Sequence, residues 1–183
     1  MRFSTRPSIS HRLACVALRC AVIGLAAVIT VGCRRASPAP APAPLGPIAA
    51  EARLLSDNDG GMRDSTQLVI RDAAALATTW KQATALQSNP TPMPTVDFAR
   101  YMVVVVAGGR MSRGDEIRID SAGVRRESTA GGRLQNVVAI LFTATEGCRR
   151  YNRDAYPVEI VQLPRSASEV RFIGKRERGP ACR

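Results

Sequence analysis

Three carboxylates stand close together in the middle of the chain, at Asp115, Glu116 and Asp120. Paired carboxylates can act as the general acid and the general base of a hydrolase. The segment DEIRID that holds them alternates between apolar and charged residues, so Glu116, Arg118 and Asp120 would share one face of a strand. Opposite charges on an exposed strand face form solvated ion pairs. The sequence therefore favours ion pairs here and leaves a carboxylate-based hydrolase as an alternative.

The chain has one histidine, His11, which lies in a segment expected to be removed. Without histidine, Ser-His-Asp and Cys-His catalysis and most zinc sites cannot be assembled. Ser112 could in principle pair with a lysine, but the spacing matches no Ser-Lys motif. The sequence therefore predicts a protein that is not an enzyme and that has no cofactor or metal.

Residues 1–32 are predicted to be a lipoprotein signal peptide. Arginines at positions 2, 6, 12 and 19 precede an uncharged run of 13 residues, 20–32. A helix of that length is about 20 Å long, too short for a bilayer core of about 30 Å. Thr30-Val31-Gly32 resembles the end of a bacterial lipobox, although leucine is usual where Thr30 stands. We expect Cys33 to be lipidated and to become the first residue, the alternatives being a secreted protein cleaved nearby or an uncleaved anchor.

Residues 33–50 are predicted to be a Pro/Ala-rich tether. Alternating proline and alanine favour the polyproline conformation, at about 3.1 Å per residue, so residues 34–47 would span about 40 Å. Such a spacer would separate a domain at 51–183 from the membrane that holds the acyl chains of Cys33. Arg35 is not the aspartate associated with inner-membrane retention, which favours the outer membrane of a bacterial cell envelope.

Two further cysteines, Cys148 and Cys182, are expected to form one disulfide. Cys15 and Cys20 would leave with the signal peptide, and Cys33 would carry lipid. Cysteines that remain in an oxidising compartment usually pair. The bond would enclose 33 intervening residues and stabilise the domain by about 3–4 kcal/mol in the chain-entropy treatment.

The charge of the chain suggests what it binds. Its 26 basic residues outnumber 15 acids, giving a net charge of +11. We expect no nucleic-acid partner, because the aromatic stacking platform of such proteins is missing. Arginine and tyrosine dominate protein interfaces, and they are concentrated beside Cys148. The predicted partner-binding residues are Arg149, Arg150, Tyr151, Arg153 and Tyr156. A solvated hairpin loop and a surface for envelope glycans or other polyanions are the alternatives.

Hydrophobic periodicity predicts an α+β domain with one helix packed on a mostly antiparallel sheet of about six strands. The helix is expected over 71–86, with Asp72 as N-cap and Leu76, Trp80 and Ala83 on its buried face. The run Met102 to Val106 predicts a strand buried on both faces. The predicted strands are 66–70, 100–110, 115–128, 131–145, 156–165 and 169–177.

Several of these segments, in this order, resemble the PrcB C-terminal domain family, named for an accessory lipoprotein of a surface protease complex. The similar segments are VIRDAAALATTWKQ, PTVDFARYMVVVVAGGRMSRGDEIRI and YPVEIVQLPR followed by VRF, within residues 66–182. The family's turn is usually Gly-Gly-Tyr, whereas Asp115-Glu116 stands in its place here. The resemblance implies an envelope accessory protein that is associated with a protease or another surface protein, and implies no catalytic residues.

Overall fold

The valine-rich run that begins at Met102 lies at the centre of the fold. The computed structural model describes residues 43–148 and 153–179, all within the second of two compact units, Ser37–Arg183. The strands are β1 (Gly46–Pro47), β2 (Arg53–Asp57), β3 (Ser65–Ile70), β4 (Tyr101–Gly108), β5 (Met111–Ser112), β6 (Glu116–Ser128), β7 (Leu134–Glu146), β8 (Asp154–Ala155), β9 (Val158–Pro164) and β10 (Val170–Arg178); a 3₁₀ turn spans Ala50–Ala52 and helix α1 spans Ala73–Ala83.

The strands form two sheets of four and a short ribbon. Sheet A has the order β1-β6-β7-β10, sheet B has the order β2-β9-β4-β3, and the ribbon pairs β5 with β8. All neighbours are antiparallel except β7 and β10. The predicted α+β class is confirmed, and all six predicted strands are present. They divide between two sheets, however, whereas a single sheet was expected.

Two hydrophobic layers explain this division. Val103 and Val105 of β4 face α1, where they pack with Leu76 and Trp80. The alternate residues of β4 face sheet A and pack with residues such as Ile119 and Ile140. A strand with apolar side chains on both faces needs a cover on each side, and the helix covers one face while sheet A covers the other.

Helix α1 follows its sequence pattern closely. The side chain of Asp72 accepts a hydrogen bond from the backbone N–H of Ala75 at 2.8 Å, which confirms the predicted N-cap. Leu76, Trp80 and Ala83 are buried, as expected. The helix ends at Ala83, three residues before the predicted end. Among the described residues, no helix combines the length and apolar character needed to span a bilayer.

Strand pairing begins before residue 51, within the predicted tether. Gly46 and Pro47 pair with β6, and Pro44 forms a bridge with Val124. Gly123 allows this approach, because a Cβ atom there would meet the backbone of Pro44. Proline suits such an edge position since it has no N–H to donate to a ladder.

A bulge in β6 changes which residues face the core. Ile117 and Ile119 face inward, as predicted, but the register with β7 shifts between Ile119 and Ser121. Ala122 and Val124 then face inward in their turn. One extra residue reverses the faces of a strand, because side chains alternate with a period of two.

Candidate functional site

The ribbon of β5 and β8 forms one wall of an open cleft where the two sheets end. Gly109 has a φ of +71°, which allows the chain to turn sharply after β4. Asp115 then holds the following turn, because its carboxylate accepts hydrogen bonds from the N–H groups of Ser112, at 3.0 Å, and Gly147, at 2.9 Å. This carboxylate therefore joins the β5–β6 turn to the end of β7.

The cleft has a volume of about 680 Å³ and is lined by both basic and acidic residues. Its charged lining residues are Arg110, Asp115, Glu146, Arg153, Asp154 and Arg176. Arg110 Nε lies 2.9 Å from Asp154 Oδ2, and this hydrogen bond raises the pKa of Arg110 above its usual value. Arg176 Nη1 lies 3.9 Å from Glu146 Oε1. The guanidinium of Arg153 has no ion-pair partner among the described residues, so it is the lining cation open to a bound group.

A second depression adjoins the cleft and contains both described members of the predicted partner-binding set. It has a volume of about 300 Å³ and shares Arg153 and Asp154 with the cleft. Tyr156 lines it, and so do Arg113 and Leu86. Leu86 is 50% exposed. Arg153 and Tyr156 therefore share one surface with Leu86, an exposed apolar residue that was not among the predicted partner-binding residues.

The remaining predicted partner-binding residues, Arg149, Arg150 and Tyr151, lie outside the described residues, and so does Cys33. Gly147 and Arg153, which flank this segment on either side, both line the cleft. Arg113 also donates its backbone N–H to the Arg153 carbonyl at 3.0 Å. This hydrogen bond attaches the predicted partner-binding segment at Arg153 to the β5–β6 turn.

The parallel pairing of β7 and β10 bears on the predicted disulfide. Glu146 lies opposite Arg178, and the Gly179 N–H donates to the Glu146 carbonyl at 2.9 Å. The chain therefore approaches Cys148 shortly before Cys182. Cys148 is not a free thiol, but Cys182 lies outside the described residues, so the pairing stays a prediction.

The three candidate catalytic carboxylates occupy different surroundings. Asp115 lines the cleft, whereas Glu116 lines a separate cavity of about 350 Å³. Asp120 accepts a hydrogen bond from the hydroxyl of Thr143. The structure therefore does not gather these carboxylates into one site. No group of three or more acids, cysteines or histidines in residues 43–148 and 153–179 could hold a metal ion.

A buried ion pair between sheets B and A was not predicted from the sequence. Glu159 is 1% exposed, pairs with Arg53 and accepts a hydrogen bond from the Ile119 N–H. Arg53 donates in turn to the Ile119 carbonyl at 3.0 Å. Burial, assisted by the charge of Arg118, lowers the pKa of Arg53. The pair satisfies backbone groups of β6 beside the bulge and connects sheet B to sheet A.

The signal for this pair is one acid within the apolar run VEIVQL. That run supplies both hydrophobic layers, because Val158 and Ile160 face the helix while Val161 and Leu163 face sheet A. Glu159 therefore points between the sheets.

Comparison with known proteins gives no match to a family model, to a curated protein or to a solved structure. The resemblance to the PrcB C-terminal domain family stays a hypothesis based on the sequence segments.

Proposed function

We propose that this chain is a non-enzymatic, lipid-anchored protein of the bacterial cell envelope that acts by binding another protein. Cys33 would carry the lipid, and the Pro/Ala-rich segment would separate the domain from the outer membrane. The segments that resemble the PrcB C-terminal domain family make an envelope protease the first partner to consider. The protein would then serve as an accessory subunit.

The surface around Arg153 is the observation that carries this proposal. Arg153 forms part of the wall between the cleft and the depression that contains Tyr156, Arg113 and Leu86. Arginine and tyrosine are enriched among the residues that dominate binding energies, and such residues cluster in pockets. A half-exposed leucine beside them adds apolar area that a partner could bury.

The carboxylates of the cleft also support binding over catalysis. Both oxygens of Asp115 accept backbone hydrogen bonds, and Asp154 pairs with Arg110. These groups already serve to hold the ribbon and its turn in place. The carboxylate of Asp115 is occupied by two backbone N–H donors, which suits a structural role.

Capture of partners from the native envelope tests the proposal. The intact lipidated protein would be crosslinked in its own membrane and compared with the double variant Leu86→Ala, Arg153→Ala. The control is Arg126→Ala, Arg133→Ala, which alters exposed residues of sheet A and its β6–β7 turn. We expect one partner to be captured by the native chain and the control, and to be lost from the double variant.

Two outcomes would contradict the proposal. Equal capture by all three proteins would place the interface away from Arg153. Absence of any specific partner would remove the proposed function and direct attention to polyanions or to the hydrolase alternative.

A further inference from the structure

Strand β10 forms an edge of sheet A. It pairs with β7 on one side and with no described strand on the other. Its last six residues, 173–178, are all exposed. An edge strand of this kind presents unpaired backbone donors and acceptors, which can pair with a strand from another chain.

The pairing with β7 identifies the backbone groups that face outward. Glu169 accepts at its carbonyl from Val138, at 2.8 Å, and Gly179 donates to Glu146 at 2.9 Å. The N–H and C=O of one strand residue point to the same side, and the side alternates along the strand. Odd-numbered residues of β10 therefore pair with β7. The even-numbered residues, whose backbone groups point to the open edge, are Val170, Phe172, Gly174, Arg176 and Arg178.

Cations outnumber acids along the open edge. Strand β10 contains four cationic residues, Arg171, Lys175, Arg176 and Arg178, against one acid, Glu177. Three of them have acidic neighbours in the fold, since Arg171 pairs with Glu127 and Glu169, Lys175 pairs with Glu177, and Arg176 lies near Glu146. The side chains of Lys175 and Arg176 are nevertheless 63% and 81% exposed. Exposed ion pairs are weak, so the acids of an incoming strand could replace these partners. An incoming strand with acidic side chains would complement this charge, whereas a second copy of β10 would be repelled.

A groove beside the edge offers space for side chains of an added strand. It has a volume of about 360 Å³, runs between β10 and the edge strand β3, and shares Met111 and Arg176 with the cleft. Phe142 lines it and packs over Gly174, where a Cβ atom would collide with the ring. The groove thus has an apolar floor next to a basic edge.

We propose that the open edge of β10 binds an extended acidic peptide segment of the partner protein as a fifth strand of sheet A. Backbone hydrogen bonds to the even-numbered residues would give affinity, and the cations would select for acidic sequence. Side chains on the inner face of the peptide would enter the groove beside Phe142. This inference rests on the proposed function, because it names how a protein partner is bound.

A labelled peptide tests this binding mode directly. The probe is a fluorescein-labelled nine-residue peptide of alternating glutamate and valine with blocked ends, titrated by anisotropy against the detergent-solubilised full chain. We expect saturable binding that weakens at least about tenfold in the double variant Lys175→Glu, Arg176→Glu. The control Arg126→Glu, Arg133→Glu changes the net charge equally and should bind within about twofold of the native chain. Thermal unfolding would verify that both variants are folded.

N-methylation separates strand addition from simple charge attraction. Two further peptides carry N-methyl groups on either the glutamate or the valine amides. We expect one of them to lose binding, since only one set of amides faces β10. Equal binding of both peptides, equal weakening in the control variant, or no binding at all would overturn the inference. If the peptide fails to bind while envelope capture still depends on Arg153, the proposed function stands without this binding mode.

Discussion

Glu159 is a carboxylate buried between two β-sheets, and Arg53 on the neighbouring strand balances its charge. Both side chains also contact the backbone of Ile119. Desolvation makes a buried ion pair expensive to form, but removal of one partner leaves the charge of the other uncompensated. Here the Arg53 side chain is only 20% exposed. The pair therefore holds the two sheets in one relative position.

We predict that Glu159→Ala lowers the free energy of unfolding by about 3 kcal/mol, because it leaves the charge of Arg53 without its carboxylate partner and the Ile119 N–H without its acceptor. Urea unfolding followed by circular dichroism measures this change. The matched control is Glu177→Ala, which removes an exposed partner of Lys175 and should cost less than about 0.5 kcal/mol. Equal unfolding midpoints for the two variants would contradict a stabilising role for Glu159.

Asp115 was a catalytic candidate in the sequence, and its contacts in the structure are those of a turn-stabilising residue. We predict that Asp115→Ala lowers the free energy of unfolding by about 1–3 kcal/mol, because the N–H groups of Ser112 and Gly147 lose their acceptor. Asp115→Asn keeps one acceptor oxygen and should lose less. Thermal unfolding of the two variants provides the comparison. Native stability in Asp115→Ala would show that the turn does not depend on this carboxylate.

At the scale of elements, the helix depends on a cap that the sequence indicates. We predict that Asp72→Ala lowers the free energy of unfolding by about 1 kcal/mol, because the Ala75 N–H loses its acceptor. Asp72→Asn keeps an acceptor at the same position and should be nearly neutral. Chemical denaturation measures both. A cost for Asp72→Asn equal to that of Asp72→Ala would assign the effect to charge instead of hydrogen bonding.

The helix and the six longer strands could be predicted because their apolar residues repeat with clear periods. Strand β2 was missed, since it has only five residues and follows an alanine-rich segment. The strands β1, β5 and β8 have two residues each, too few to produce a pattern. Their positions depend on tertiary contacts, such as the approach of Pro44 to Gly123.

The division into two sheets could be predicted only in part. A strand buried on both faces, such as β4, indicates two covering layers, but its sequence does not say what covers each face. The bulge in β6 reverses the strand's faces at Asp120, within a segment whose first half alternates regularly. The candidate site likewise depends on long-range strand pairing, namely that of β5 with β8. Arg153 and Tyr156 were selected by residue type, whereas Leu86 joins them only through the fold.

At the scale of the whole molecule, a disulfide from Cys148 to Cys182 would fasten the end of β10 to the end of β7. We predict that Cys148→Ser and Cys182→Ser each lower the free energy of unfolding by about 3–4 kcal/mol, because the unfolded chain gains conformational freedom. Dithiothreitol should destabilise the native protein by a similar amount and leave both variants unchanged. Unequal effects of the two substitutions, or insensitivity of the native protein to dithiothreitol, would contradict the pairing.

The end of β10 connects the cleft and the open edge. Arg176 lines both the cleft and the groove beside β10, so a partner seated at Arg153 could extend a segment along the basic edge. A tethered domain would hold such a partner close to the membrane. If Cys33 carries lipid as proposed, loss of that lipid would release the complex from the membrane without weakening the contact itself.

Site-specific photo-crosslinking in cells of the source organism tests whether a protein binds through the surface around Arg153. A photoreactive amino acid would replace Leu86 in one full-length protein and Arg133 in another. We predict one discrete crosslinked partner from position 86, none from position 133, and loss of that crosslink when Arg153→Ala is added. The same crosslinks from both positions, or none from position 86, would contradict binding through this surface.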